Sequence, residues 1–230
     1  MANPIIFDGE NRFAIDSATS TTSFKTIETT LTPDAFTPRG MKVVSTNAND
    51  TLTGTGVQKV RITYLDSNFN QFTEDINLNG TIAVNTIATN IKHLESFDAI
   101  QVGSGGSAAG TIDLADLTDS TLYARIDAGN NQFFSCVHHV KTGKTAFVMG
   151  IDLGILSSGV AEIRLEYEQT FTGGGTINRI FHSDIISNFN RKQVDFLIPL
   201  RVEGGNHIRM VAKARSSGQV ILGRISFFEL

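Results

Sequence analysis

With 230 residues, 40% hydrophobic and 18% charged, the chain is long enough for one large β domain or two small ones and apolar enough to fill a core. A net charge of −4 and a pI near 5.7 leave no electrostatic footprint for DNA or RNA. One cysteine, Cys136, excludes an intramolecular disulfide framework, and 16 Phe against 3 Tyr and no Trp suit packing better than sugar-binding platforms.

The first residues, Met1 to Glu10, have no basic stretch followed by an apolar core, so no secretory signal is expected, and no apolar run is long enough to span a bilayer. Residues 16–33 are dominated by Ser and Thr, with apolar residues too sparse to bury much by themselves. Residues 1–40 therefore read either as a flexible leader or as an extended arm that orders against neighbouring subunits. In the second reading Phe7, Phe13, Ile15, Phe24, Ile27 and Leu31 are candidate assembly contacts, spaced to reach separate grooves.

A first β domain is expected over residues 41–128. Its clearest signal is Val57 to Asp66 followed by Gln71 to Gly80. Val60, Ile62 and Tyr64 share one face of the first run, and Phe72, Ile76 and Leu78 one face of the second, which Glu74 interrupts. Period-two alternation rich in β-branched and aromatic residues predicts an antiparallel hairpin, and Ser67-Asn68-Phe69-Asn70 supplies its turn. Ile87, Ile91 and Leu94 fall at helical spacing within Ala83–Phe97, which predicts one short amphipathic helix. Gly103 to Gly110 is a loop, and Thr111-Ile112-Asp113-Leu114 resumes a strand.

Residues 129–230 are expected to form a second β domain. Strands are predicted at 133–140, 145–153, 160–171, 194–202, 208–214 and 220–228, punctuated by Gly-containing turns. The fold class is all-β, a β-sandwich of jelly-roll type with at most one short helix. The last strand, Val220 to Leu230, is apolar on both faces and wants cover on both. Phe228 is accordingly a further candidate assembly contact.

Few residues nominate chemistry. Gly143-Lys144-Thr145 lacks the earlier glycine and following helix of a phosphate loop and reads as a hairpin turn. Cys136 and His138 share a strand face, but no third group completes a nucleophile. His93, His182 and His207 are scattered. Asp113, Asp116 and Asp119 lack the alternate ligands of a calcium loop, although an irregular calcium site between subunits stays open. Glu74 and Asp75 point to opposite strand faces, unlike paired catalytic carboxylates. No catalytic residue, metal ligand or cofactor site is assigned, and no enzyme activity is expected.

Two segments carry a family likeness. One is Gly56-Val57-Gln58-Lys59-Val60-Arg61-Ile62-Thr63-Tyr64-Leu65-Asp66 through Asn79-Gly80-Thr81, with the later Gly103 to Ile112. The other is Ile198-Pro199-Leu200-Arg201-Val202 followed by His207 to Ala214. Both resemble virion structural proteins of tailed bacteriophages, in which a hairpin-containing β domain precedes a C-terminal jelly-roll-like domain. The resemblance implies a capsid cement or decoration protein, a homo-oligomer bound to other virion proteins, the major capsid protein first among them. It implies a place in the virion after assembly in the host cytoplasm, with no nucleic-acid or membrane partner. A tail, neck or fibre component that contacts a receptor is the alternative within virions, and a carbohydrate-binding module the alternative outside them.

Overall fold

The computed structural model describes residues 10–16, 25–26, 37–118, 121–170, 176–215 and 219–230, and every regular element among them is a β-strand. Two strands lead the chain, β1 (Glu10–Asp16) and β2 (Lys25–Thr26). Seven follow: β3 (Met41–Ser45), β4 (Val57–Leu65), β5 (Gln71–Asn77), β6 (Val84–Asn85), β7 (His93–Val102), β8 (Ile112–Asp116) and β9 (Leu122–Ile126). The last seven are β10 (Val137–His139), β11 (Thr145–Ile155), β12 (Val160–Thr170), β13 (Thr176–Ser187), β14 (Arg191–Glu203), β15 (His207–Ala214) and β16 (Ile221–Glu229). Backbone contacts divide the chain into two units. Thr29–Phe134 forms one, holding β3 to β9, and β1 and β2 join Ser135–Leu230 in the other.

In the first unit the sheets run β6-β3-β8-β9 and β5-β4-β7. The expected hairpin is present, with Tyr64 opposite Phe72 and Val60 opposite Ile76. The Asp66 carboxylate closes its turn by accepting from the amides of Asn68 (2.8 Å) and Asn70 (3.0 Å). Tyr64 and Phe72 stack at 5.7 Å, a cross-strand pair that fixes register. Alternation delivers Val60, Ile62, Phe97, Ile112 and Leu114 to one core from which water is excluded.

The Gly-rich segment after β7 is held, not slack. Buried Asp50 accepts from the Ser45 hydroxyl (2.6 Å) and from the amides of Val57 (2.8 Å), Ala109 (2.9 Å) and Gly110 (2.9 Å). Close approach explains the glycine at position 56, where a Cβ would lie 2.1 Å from Asp50 Oδ1.

The helix predicted within Ala83–Phe97 does not form. Residues 84–85 pair with β3, and β7 begins at His93. The amides of Ile87 (2.7 Å) and Ala88 (3.0 Å) donate to the Glu74 carboxylate, and the Thr86 hydroxyl donates to the Ala88 carbonyl (2.8 Å). Ile91 and Arg39 exchange both backbone bonds at 3.1 Å. Glu74 and Arg39, both outside the segment, thus take amides that a helix would bond internally, and Ile87, meant for the buried face, is 90% exposed.

The second unit has the sheets β1-β16-β11-β14 and β10-β15-β12-β13, with β2 also paired to β15. Ile151, Leu153, Ile163, Leu165, Met210 and Phe227 are among its buried residues. β16, apolar on both sides in sequence, is an inner strand between β1 and β11. β13 was not among the predicted strands.

Candidate assembly surface

The two sheets of the second unit each end in a long edge strand, β13 on one and β14 on the other, and both edges are bulged. Along β12, Leu165 faces His182 and Glu166 faces Ile180, so Phe181 is the extra residue. Along β11, Val148 faces Leu200 and Gly150 faces Asp195, so Phe196, Leu197, Ile198 and Pro199 stand opposite Met149 alone. Pro199 has no N–H to give to a ladder and belongs at such an interruption. The bulged residues meet, because the Phe181 and Phe196 rings pack edge to face at 4.9 Å.

Leu197 and Ile198 are left pointing into solvent, at 103% and 83% exposure. The β13–β14 turn adds Phe189, 72% exposed and held at φ 53°. A bulky residue there is strained by roughly 1–3 kcal/mol. The turn is tied down nonetheless: the Phe189 amide donates to Ser157 O (3.2 Å), the Asn188 amide to Gly159 O (2.8 Å), and Asn188 Oδ1 accepts from the Gly159 amide (3.1 Å). Ile177, Ile180 and Ile185 are also exposed on β13.

Most charges beside these residues are paired locally, while Arg179 and Asp195 bond the amide side chains of Gln169 and Gln193. Lys192 pairs with Asp184, Arg201 with Glu203 (2.8 Å) and Arg164 with Glu162 (2.7 Å). Buried Asp152 accepts from Arg191 and from Arg224 (3.1 Å). The Arg191 hydrogen bond outweighs burial and holds the Asp152 carboxyl below its ordinary value; Lys192 does the same for Asp184. Met149, Asp152, Asp195, Arg224 and Ser226 help line a pocket of about 60 Å³, room for a few waters and well below the size of a drug-like ligand site.

Of the residues singled out in sequence, Phe7, Phe24, Ile27 and Leu31 lie outside the described residues, as do the side chains of Phe13 and Ile15. The backbones of the latter two belong to β1, where Phe13 faces Arg224 and Ile15 faces Leu222 of β16. Phe228, on that same β16, is half-buried and stacks on Phe147 at 5.1 Å. The surface residues of β13 and β14 were missed. The available signal was an apolar run, Phe196-Leu197-Ile198, stopped by a proline inside a predicted strand.

The chemical candidates are occupied structurally. Cys136 is buried and its thiol donates to the Gly223 carbonyl at 3.0 Å. His138 lies between Arg12, 3.3 Å from Nδ1, and Glu229, 2.7 Å from Nε2, with its ring on Phe227 at 4.2 Å. An arginine can only donate, so Nδ1 accepts and the proton sits on Nε2, aimed at the carboxylate. Burial pushes the Glu229 carboxyl up, but the His138 hydrogen bond and Lys141 at 3.4 Å bring it below its ordinary value.

Gly143, at φ 77°, serves the turn into β11, with the Lys144 amide on Lys141 O at 3.1 Å. Asp113 pairs with Arg125 (2.7 Å), and Asp116 with Arg39 and the Thr118 amide (2.8 Å); Asp119 lies outside the described residues. Among the described residues no three His, Cys, Asp or Glu side chains are grouped to hold a metal, and no helix is long and apolar enough to cross a membrane.

No protein-family model matches the sequence, and no curated protein does. Among solved structures, a chain of infectious bursal disease virus, Gt strain, is similar at 11% identity, with 97% of this chain and 72% of that one covered and a TM-score of 0.27. A chain of the VP2 subviral particle of the same virus is similar at 13% identity, with 96% and 71% covered and a TM-score of 0.24. Both belong to virus particles, but at such TM-scores the likeness establishes neither a shared fold nor a shared role.

Proposed function

We propose that the chain is a virion structural protein, a capsid cement or decoration protein of a tailed bacteriophage that binds the head lattice as a homo-oligomer. The observation that carries this reading is the β13–β14 edge, where bulges and a strained turn hold Leu197, Ile198 and Phe189 out in water. Ligand sites gather apolar walls in a concavity around a few polar groups. This surface instead projects, as a residue meant for another protein's groove does. The virion assignment rests on the phage-protein likeness of the hairpin segment and of Ile198 to Ala214.

On this reading the protein is non-enzymatic, is assembled in the host cytoplasm and works in the particle against the major capsid protein. Quantitative mass spectrometry of purified particles tests it. Hundreds of copies per particle are expected, a few to a dozen would move the protein to the tail or neck, and absence from particles would overturn the reading. The Cys136→Ser variant, which replaces a buried thiol already spent on a backbone carbonyl, should enter particles normally.

A further inference from the structure

The β13–β14 edge also says what covers it. We propose that its occupant is a second copy of this chain, with Leu197 and Ile198 as the central anchors of the contact. This rests on the structural-protein reading above for the expectation of self-assembly, and on three properties of the edge for its place.

The first property is area. The apolar side chains exposed between Ile177 and Ile198 amount to on the order of 900 Å², taking about 200 Å² for each one fully exposed. The largest apolar patch on a typical monomer is about 300–600 Å², while each side of a standard stable interface is about 800 Å². The exposed area of these residues together is of the order that one side of a stable interface needs.

The second property is charge. A partner of opposite charge would be met by uncompensated groups of one sign, which raise the encounter rate. Here Lys192 with Asp184, Arg201 with Glu203 and Arg191 with Asp152 are paired in place. The two charges of the strip that remain, Arg179 on β13 and Asp195 on β14, are bonded to the amide side chains of Gln169 and Gln193 and are of opposite sign, so the strip carries no excess of one sign to repel a second copy.

The third property is form. In one strip the edge offers a protrusion, Leu197-Ile198, and the open side of β13, a 12-residue strand with β12 on its other side. Among the described residues no strand pairs with that open side, and an unpaired edge is a template for association. A surface that holds both an anchor and a receiving edge can be met by another copy of itself.

The test is the mass of the isolated full-length chain by light scattering and analytical ultracentrifugation across about 1–100 µM, for wild type, the double variant Leu197→Asp/Ile198→Asp, and Ile87→Asp as control. Ile87 is as exposed as Ile198 but lies in the other unit. Wild type and Ile87→Asp are expected to run as multiples of one chain. The double variant should run as a single chain with unchanged circular dichroism and melting temperature, an affinity loss of at least about a hundredfold. A single-chain mass for wild type, or a double variant that keeps the wild-type mass, overturns the proposal. A monomeric wild type whose double variant fails to enter particles would give the edge to another virion protein, which also overturns it. Mass is read on the isolated chain and copy number on particles. A self-associating chain absent from virions would therefore sink the virion role and leave the interface standing.

Discussion

Replacing Asp50 by alanine should be the most damaging single change in the Thr29–Phe134 unit, although the residue touches no surface. Its carboxylate is the shared acceptor for three backbone amides, Val57, Ala109 and Gly110, and for the Ser45 hydroxyl. These join the start of β4, the Gly-rich segment and the end of β3. The Ser45 hydroxyl can rotate to another partner, but the amides of Val57 and Gly110 lie in buried positions and cannot. Each buried donor left without an acceptor costs about 1–3 kcal/mol. The two buried ones give about 2–6 kcal/mol, and the Ala109 amide, on an exposed residue, adds little. That reaches the lower end of the roughly 5–15 kcal/mol a domain has.

Hydrogen exchange reads this out amide by amide. In the wild type the three amides should exchange only with opening of the whole unit, and in Asp50→Ala they should lose most protection while β11 and β16 keep theirs. Gly56→Ala attacks the same point, since its Cβ would meet Asp50 Oδ1 at 2.1 Å. The two losses should therefore be strongly non-additive in the double variant. A loss below about 1 kcal/mol for Asp50→Ala, or simple addition with Gly56→Ala, would refute this account of the Gly-rich segment.

Deleting residues 1–16 should lower the melting temperature of the Ser135–Leu230 strands by several degrees, because it strips β1 from β16 and removes Arg12 from His138; an unchanged calorimetric transition would count against that pairing. Asp152 and Glu229 both have carboxyls held below their ordinary values, so their contribution is complete above the usual carboxylate range and is lost as pH falls through the lowered values. Asp152→Asn should cost about 2 kcal/mol at pH 7, less than a fully buried pair because Arg191 is 59% exposed, and should flatten the decline in acid urea titrations. Phe228→Asp should lose the stacking on Phe147 and about 2 kcal/mol of stability; a change in oligomeric mass with stability intact would instead place that face between copies.

The hairpin was legible in sequence because alternation, turn chemistry and burial agree there. Tyr64 opposite Phe72 and the Asp66-bonded turn follow from local residue order. The strands around Thr145–Leu153 and Val160–Phe171 were legible from the same agreement, and Val220–Phe228 from its run of apolar residues on both faces, as befits an inner strand. The segment Ala83–Phe97 was misread because its apolar spacing is helical while its hydrogen bonds are tertiary. Glu74, noticed in sequence only as a break in a strand face, is the residue that takes the amides of Ile87 and Ala88. No periodicity records a carboxylate reaching across from another strand.

The β13–β14 edge was hidden for a different reason. β13 has apolar residues at positions 177, 180, 181, 185 and 186, which follow neither a strand period nor a helical one. The bulge at Phe181 switches the face midway, so the residues before and after it alternate out of phase. β14 does the same with four residues, so its Phe196-Leu197-Ile198 run, inside the strand predicted at 194–202, carried no sign of which face is exposed. Core strands are legible because one face must be apolar and the other need not be. A bulged edge strand is under no such rule: its bulges break the period, and its outer residues are not held to one face. Pro199 was the one local sign, since a residue without an N–H interrupts a ladder that an inner strand needs whole. Apolar runs interrupted by proline within a strand are therefore better read as sheet edges than as inner strands.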